Sequence, residues 1–192
     1  MDIDDTARYQ SIPWVAKLLQ DKTFVTIPST NRDRKSSTED NLFAITLKSN
    51  NTLSGCLIQY RNPPSSSAVA ENIEEVRMFF TLGDGMNGYP GILHGGIVAT
   101  LLDEGMGLLI TLRSKYKASD ERVNEPSSKT VTAYLNTNFL RPVQTPGVIV
   151  LHAKLDEIKE NRKWKIKGHI CDSEDQLLAT AECLYVKSQS KI

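Results

Sequence analysis

The stretch Gly83–Leu112 is the part of the sequence that most constrains the fold, because it joins a glycine-rich loop to a long apolar helix. Six of the chain's eleven glycines lie in its first half. The residues that follow are apolar apart from the acidic pair Asp103–Glu104, and they predict a helix from about His94 to Tyr116. A helix that is apolar on nearly every side must be buried on nearly every side. The rest of the chain therefore has to wrap around it.

Strand patterns lie on both sides of this helix. Short apolar or alternating runs separated by turn residues predict strands at Leu53–Arg61, Glu75–Leu82, Thr130–Leu140, Gly147–Ile158, Arg162–Cys171 and Gln176–Lys187. Successive strands that are joined by short turns pair antiparallel. The predicted fold class is therefore α+β, with one curved antiparallel sheet wrapped around one long central helix.

The first fifty residues have a different character. Ser11–Lys22 has apolar residues at helical spacing and a proline near its start, so it predicts a short helix, and Asn41–Lys48 predicts a further helical turn or two. Ser29–Asp40 is charged and aperiodic, which predicts an exposed loop. We therefore expect two regions: residues 1–50 as an N-terminal helical extension with an exposed loop, and residues 51–192 as the domain that contains the sheet and the central helix.

The composition argues against several classes of function. The chain of 192 residues has a formal net charge of zero, from 23 basic and 23 acidic residues, so binding to a nucleic-acid backbone is not expected. Its three cysteines have no C-x-x-C spacing, which argues against a disulfide framework or a structural zinc site. Asp103 and Glu104 interrupt the best candidate for a membrane span, so no membrane partner is expected either.

The ends of the chain bear on its location in the cell. The first ten residues are acidic and lack an apolar run, which fits neither a secretory signal nor a transit peptide. The expected location is therefore the cytoplasm. The last three residues, Ser190–Lys191–Ile192, differ by one residue from the S-K-L peroxisomal address, so import into peroxisomes is the alternative.

The start of the central helix and its one polar face suggest a site for attacking a carbonyl group. At about 100° per residue, Gly96, Thr100 and Asp103 lie on one small, polar face. The free N–H groups at a helix start can polarise a carbonyl, and Gly95 and Gly96 leave that end unobstructed. Asp103 could then act as a general base or as a nucleophile.

A structural interpretation of the same residues stays open. In it the glycines only form a turn, His94 caps the helix, and Asp103 pairs with a buried partner. Glu104 also competes with Asp103 for the catalytic role. The sequence has no H-x-x-x-H or C-x-x-C pair, no G-x-S-x-G elbow and no P-loop lysine after GDGMNG, so neither a metal nor a cofactor is expected.

Two motifs, in this order, carry a resemblance to a known family. The first is His94-Gly95-Gly96, six residues and Asp103, and the second is Thr132-Ala133-Tyr134-Leu135-Asn136-Thr137-Asn138-Phe139-Leu140-Arg141-Pro142. Together they resemble the hotdog-fold acyl thioesterases. Within that family the chain is similar to the phenylacetyl-CoA-thioesterase-like and human thioesterase superfamily member 4-like group and its fungal relatives. The resemblance spans about Leu53–Lys187.

The resemblance implies the hotdog fold and a role for several residues. Gly95 would supply the N–H that polarises the thioester carbonyl, His94 would shape the turn, and Asp103 would activate water or attack directly. Thr132 would hold that water or the carboxylate from across a subunit interface, and Arg141 would bind the pantetheine or nucleotide part of coenzyme A. The family's sheets join edge to edge, so a homodimer or a dimer of dimers is implied.

Four polar side chains alternate along the predicted strand after the helix and are expected to share one face: Thr132, Tyr134, Asn136 and Asn138. The candidate substrate-binding residues are then Gly96, Thr100, Asn136, Asn138 and Arg141. Hydrogen bonding at a strand edge is the alternative role of the two asparagines.

The expected function is hydrolysis of an acyl thioester, on coenzyme A or on a carrier protein, to a free acid and a thiol, within lipid or polyketide metabolism. Two other functions stay open. One is a lyase, since the same fold also hosts hydratases and dehydratases. The other is a non-catalytic module that binds acyl-CoA.

Overall fold

The computed structural model describes residues 5–63, 73–118 and 130–188. The helices in these ranges are α1 (Asp5–Gln10), α2 (Pro13–Leu19) and α3 (Gly95–Ala118). Short helical turns lie at Thr30–Arg32, Leu42–Thr46 and Asp84–Met86. The strands are β1 (Phe24–Ile27), β2 (Leu53–Arg61), β3 (Glu75–Leu82), β4 (Asn87–Tyr89), β5 (Ile92–Leu93), β6 (Thr130–Phe139), β7 (Gly147–Lys159), β8 (Lys163–Cys171) and β9 (Leu177–Lys187).

One seven-stranded sheet forms the frame of the domain. Its strand order is β1-β2-β3-β7-β8-β9-β6, every neighbouring pair is antiparallel, and β4 and β5 form a separate hairpin. Helix α3 packs against one face of the sheet, which we call the helix face, and contacts β3, β6, β7, β8 and β9. The predicted α+β class, with an antiparallel sheet on one long central helix, is confirmed.

Two glycines allow α3 to lie close to the middle of the sheet. A Cβ atom added at Gly105 would lie 2.4 Å from a side-chain carbon of Leu151 on β7. A Cβ atom added at Gly168 on β8 would lie 2.9 Å from the sulfur of Met106. Leu151 and Met106 are fully buried, so the side chains around these glycines have little room to move. The glycines therefore set the distance between helix and sheet.

The opposite face of the sheet, which we call the outer face, is partly covered by α1 and α2. Tyr9 and Val15 from these helices are fully buried in a second apolar cluster with Leu57, Phe79 and Val150 from β2, β3 and β7. The hydroxyl of Tyr9 also donates a hydrogen bond to the carbonyl oxygen of Phe79 at 3.1 Å. The central strands are therefore buried on both faces, which explains their nearly continuous apolar character.

The N-terminal region differs from the sequence-based expectation in three respects. The helix predicted at Ser11–Lys22 is wrong in its bounds, because α1 ends at Gln10 and α2 begins at Pro13. Proline is tolerated at this first position, since the N–H that it lacks would have no partner within the helix. Strand β1 was not predicted, and it pairs with β2 at the sheet edge. The Ser29–Asp40 segment is not wholly exposed, because Asn31 and Arg32 are buried.

The division at residue 50 stays a prediction, although β1 places part of the first region in the sheet. The segment Gly95–Ser114 is long and apolar enough to cross a membrane, but half of it is buried within the protein, where it packs on the sheet as a core helix. The terminal Ser190–Lys191–Ile192 lies outside the described residues, so the location in the cell also stays a prediction.

Replacement of Gly105 by alanine tests the close approach of helix and sheet. The added methyl group would overlap Leu151, and overpacking of this kind destabilises a core by about 1–3 kcal/mol. Gly107→Ala is the matched control on the same helix, because its Cβ would lie at an ordinary 3.5 Å from the nearest Tyr185 atom. Denaturant unfolding should therefore show a loss of stability for Gly105→Ala and little or no loss for Gly107→Ala. Equal effects would show that the close contact is not a stability determinant.

Candidate active site

The N-terminus of α3 is capped by His94. The Nδ1 atom of His94 accepts a hydrogen bond from the Gly96 N–H at 2.9 Å, and its carbonyl oxygen accepts the N–H groups of Ile97 and Val98. The N–H of His94 itself donates to the carbonyl oxygen of Met86 at 3.0 Å. Since Nδ1 is an acceptor, the proton of the neutral ring lies on Nε2. Both the structural interpretation and the resemblance expect such contacts, so a catalytic role of His94 stays a prediction.

The Gly95 amide is left free by this cap. It is the first residue of α3, so its N–H has no partner within the helix. Among the described residues, no carbonyl oxygen accepts a bond from it. The ring of Phe139 lies beside it, since a Cβ added at Gly95 would be 3.5 Å from that ring. The end of the helix thus presents one unused donor next to an apolar wall.

The carboxylate of Asp103 is held by two hydroxyl groups. The Thr132 hydroxyl donates to Oδ1 at 2.9 Å, and the Tyr185 hydroxyl contacts the same oxygen at 3.1 Å and the Asp103 carbonyl oxygen at 2.7 Å. Burial raises the pKa of Tyr185, so this phenol stays a neutral donor. No donor to Oδ2 occurs within the described ranges. One carboxylate oxygen is fixed and the other is left for a ligand or water.

The pairing of Thr132 with Asp103 occurs within one chain. This corrects the expectation from the resemblance, in which the hydroxyl comes from across a subunit interface. The cause is the sheet order, because β6 lies beside β9 at the edge that the polar side of α3 faces.

A β-bulge in β6 decides which polar residues reach the site. Thr132 pairs with Tyr185, but the next pair along the ladder is Tyr134 with Leu184, so Ala133 is an extra residue. One extra residue moves all following side chains to the opposite face. The expectation that the row shares one face is therefore wrong: Thr132 lies on the helix face, and Tyr134, Asn136 and Asn138 lie on the outer face.

The outer-face residues have their own partners. The Tyr134 hydroxyl donates to Glu182 at 2.9 Å, and the Asn138 amide lies 3.5 Å from the Thr180 hydroxyl. Asn136 and Asn138 line an open groove on this face with Lys167 and His169. The structure therefore does not bring the two asparagines together with Asp103, and their part in substrate binding stays a prediction.

The remaining predicted residues lie at different places. The Thr100 hydroxyl donates to the Gly96 carbonyl oxygen at 2.8 Å, so both residues lie on the side of α3 that carries Asp103. Arg141 follows the end of β6, and its guanidinium donates to the Leu177 carbonyl oxygen at 2.7 Å. Glu104 points away from Asp103, toward the N-terminal segment, where the amide of Asn31 donates to its carboxylate. Burial raises the pKa of Glu104.

Tyr185 and Asn31 were not among the predicted residues. Tyr185 alternates with buried Cys183 and Ala181 on β9, and a tyrosine at a core position is a signal that its hydroxyl has a buried partner. Asn31 gave no such signal, because it lies in a charged segment without periodicity.

The two halves of the site lie far apart in one chain. Gly95 and Asp103 are eight residues apart on α3, which corresponds to about 12 Å along the helix axis. A single carbonyl group cannot contact both. The free N–H and the carboxylate of one chain therefore cannot act together on one thioester group.

Comparisons with known proteins show which sequences and folds this chain resembles. Residues 90–179 match the model of the thioesterase superfamily. Verlamelin biosynthesis protein B from a Lecanicillium species is 28% identical over 164 residues, which cover 75% of this chain and 71% of that protein. The acyl-coenzyme A thioesterase THEM4 of Bos taurus is 30% identical over 122 residues, which cover 62% of this chain and 44% of that protein. The chain thus spans less than half of the THEM4 relative.

Solved structures show the same fold. A hypothetical thioesterase from Streptococcus pneumoniae, determined with coenzyme A, superimposes with a TM-score of 0.55 at 15% identity, over 79% of this chain and 97% of that one. The PaaI protein of the Escherichia coli phenylacetic acid degradation operon gives a TM-score of 0.50 at 13% identity, over 60% and 74%. Residues 90–179 thus resemble the thioesterase superfamily in sequence, and the architecture of the chain is hotdog-like.

Proposed function

We propose that this protein hydrolyses an acyl thioester of coenzyme A, or of an acyl carrier, to a free acid and a thiol. The observation that carries the proposal is the Asp103 carboxylate, with Oδ1 fixed by Thr132 and Tyr185 and Oδ2 unoccupied by any described donor. Two relatives support the substrate class, since THEM4 is named an acyl-coenzyme A thioesterase and the S. pneumoniae structure contains coenzyme A.

The chemistry follows from the two polar groups. Oδ2 of Asp103 removes a proton from a water molecule as the water oxygen attacks the thioester carbonyl carbon. The negative charge that develops on the carbonyl oxygen is stabilised by the Gly95 N–H at the helix start. The C–S bond then breaks, and the departing thiolate takes up the proton held by Asp103. Direct attack by Oδ2, through a mixed anhydride, is the alternative route.

A second copy of the chain is the partner that completes the site. Because Gly95 and Asp103 are about 12 Å apart in one chain, the Gly95 of one copy must act with the Asp103 of another. Strand β6 is suited to the contact, since it lies at the sheet edge and pairs only with β9 among the strands described. Val131, Phe139 and Leu140, at and beyond its ends, are 52%, 58% and 49% exposed, which is unusual for large apolar side chains.

The acyl group and its carrier follow less directly from the site. The verlamelin relative is named a biosynthesis protein, and that name specifies neither an acyl group nor a thiol carrier. Arg141 is placed at the end of β6 and is proposed to contact a phosphate of the thiol carrier. A panel of acyl-CoA and acyl-carrier substrates decides between the two.

Replacement of each acid of the Asp103–Glu104 pair by its amide identifies the base. Asp103→Asn should lower kcat by about 10²- to 10⁴-fold, because a general base contributes about that much. Glu104→Gln should leave turnover nearly unchanged, because Glu104 faces Asn31 rather than the open face. The measurement is free-thiol release from acyl-CoA, with circular dichroism as the check on folding. Loss of turnover in Glu104→Gln alone would reassign the base, and no release by the wild-type chain from any substrate would reject hydrolysis.

The Gly95 N–H can be removed without breaking the helix. Proline is tolerated at the first helical position, so Gly95→Pro deletes the donor, whereas Gly95→Ala keeps it and adds a Cβ at an ordinary 3.5 Å from Phe139. We expect Gly95→Pro to lower kcat by about 10²- to 10³-fold and Gly95→Ala to have a small effect.

Mixing inactive variants tests whether two copies share one site. Co-refolding Gly95→Pro with Asp103→Asn should restore about one quarter of the wild-type activity, because half of the randomly mixed dimers would each contain one intact site. If the mixture stays as inactive as its components while light scattering shows mixed dimers, the site is not shared between copies.

Tyr185→Phe tests the hydroxyl that the sequence did not reveal. It removes a hydrogen bond to a charged group, of about 1.5–3 kcal/mol, which corresponds to about a 10- to 100-fold lower kcat if the bond orients the base. Tyr134→Phe is the control, because it removes a tyrosine hydroxyl on the outer face. Thiol release by both variants at substrate saturation is the measurement, and equal rates for the two variants would assign Tyr185 to packing alone.

A further inference from the structure

The N-terminal segment runs around the edge of the sheet and ends beside the central helix. Helices α1 and α2 lie on the outer face, and β1 pairs with β2 at the edge. The chain then turns onto the helix face at Thr30–Arg32, where Asn31 contacts Glu104 of α3. The segment therefore contacts both faces of the sheet and reaches α3 at Glu104, the residue next to Asp103.

Three hydrogen bonds fix the turn that carries Asn31. The Ser29 hydroxyl donates to the Cys56 carbonyl oxygen at 2.8 Å, and the Arg32 guanidinium donates to the Leu53 carbonyl oxygen at 2.6 Å. The Lys48 ammonium donates to the Arg32 carbonyl oxygen at 3.0 Å. Asn31 is only 9% exposed, so its amide is held in a buried position by its surroundings.

The contact between Asn31 and Glu104 uses only half of the asparagine amide. The Nδ2 atom of Asn31 donates to Oε1 of Glu104 at 2.5 Å. The Oδ1 atom of Asn31 is buried and has no donor among the described residues. A buried acceptor without a donor costs about 1–3 kcal/mol. A carboxylic acid at Glu104 would supply the missing donor, since its O–H can bond to Oδ1 while its other oxygen accepts from Nδ2.

The charged groups near Glu104 are two acids and one lysine. Asp40 and the preceding Asp103 raise its pKa, and Lys35, which faces it from the N-terminal loop beside Asp40, lowers it. Cys56 faces it from β2, where burial raises the pKa of the thiol to about 12, so the thiol is uncharged. Burial is the largest influence on Glu104 and raises its pKa, and the hydrogen bond that Nδ2 of Asn31 donates acts in the opposite direction. The buried Oδ1 of Asn31 favours the acid form, because only the acid can donate a hydrogen bond to it.

We infer that Asn31 is a positioning residue for the thioester site. Its amide holds Glu104 in the uncharged acid form through two hydrogen bonds, so that no second negative charge lies beside Asp103. The inference rests on the proposed hydrolysis at Asp103. It assigns Glu104 to fixing the helix against the N-terminal segment, and it makes residues 29–32 part of the catalytic domain. Asn31 itself does not touch the substrate.

An exchange of the acid and the amide tests this pair. Asn31→Asp alone places two carboxyl groups together, which share one proton at low pH and repel each other once both are charged. Its kcat should be within about twofold of the wild-type value near pH 5 and about tenfold lower near pH 8. The exchanged variant Asn31→Asp/Glu104→Gln restores one acid and one amide, so its kcat should be within about threefold of wild type at both pH values.

Two single variants complete the set. Glu104→Gln is the amide equivalent of the neutral acid and satisfies Oδ1 of Asn31, so it should keep turnover. Asn50→Asp is the control for an added charge, because Asn50 is exposed on the turn before β2, and it should follow the wild-type pH profile. If folded Asn31→Asp follows the wild-type profile, or if the exchanged variant is not rescued, the assignment of Asn31 is wrong while thiol release by the wild type still supports hydrolysis.

Thermal unfolding of the same proteins tests the pair without a substrate. Because the folded-state pKa of Glu104 is raised, the stability that its acid form contributes is present at low pH and is lost as pH rises through that pKa. The Tm of Glu104→Gln relative to wild type should therefore rise with pH above the ordinary value of 4.5 and become constant once the raised pKa is passed. A Tm difference that is constant with pH would reject the acid–amide pair, and this outcome does not depend on whether the protein is a thioesterase.

Discussion

The packing of α3 on the sheet is the contact on which the rest of this structure depends. The helix buries its leucines against five strands, and Gly105 and Gly168 allow it to approach β7 and β8 more closely than any larger residue would. The apolar side of the helix is thereby fixed, and so is the direction of its polar side. Gly96, Thr100 and Asp103 must then point toward the β6–β9 edge. The position of the candidate site is a consequence of core packing, because the same rotation of the helix that fills the core orients Asp103.

The two neighbouring acids show how one helix separates two roles. Residues that follow each other on a helix are about 100° apart, so Asp103 points to the hydroxyls of Thr132 and Tyr185, and Glu104 points to the opposite edge, where Asn31 lies. One carboxyl group meets two donors and keeps one oxygen open. The other is placed in a buried, amide-lined position. This is the pattern in which environment, rather than residue type, assigns the function of each acid.

Much of the fold could be predicted from the sequence, because hydrophobic periodicity and turn residues report directly on burial. The central helix and six strands of the sheet were found in this way. The motif resemblance associated Thr132 with Asp103 but placed the contact across a subunit interface, whereas it lies within one chain. Strand β1 was missed, since four residues carry little periodic signal. The bulge at Ala133 could not be read either, because alternation looks the same on both sides of an inserted residue and only the pairing with β9 reveals the change of face. The contact of Asn31 depends on the path of the whole N-terminal segment, which no local pattern encodes.

The length of the helix between Gly95 and Asp103 gives the strongest argument about assembly. A turn of helix rises 5.4 Å, so Gly95, proposed to polarise the carbonyl, and Asp103, proposed to activate water, are separated by more than two turns. No rotation of side chains closes that distance within one chain, because the N–H of Gly95 is part of the backbone. An antiparallel second helix, by contrast, places its N-terminus beside the middle of the first. The small residues Gly96 and Thr100 on this side of the helix would permit that approach, and the edge of β6 that has no partner among the described strands lies on the same side of the domain. The separation that leaves the proposed site incomplete in one chain is thus the reason to propose a second copy.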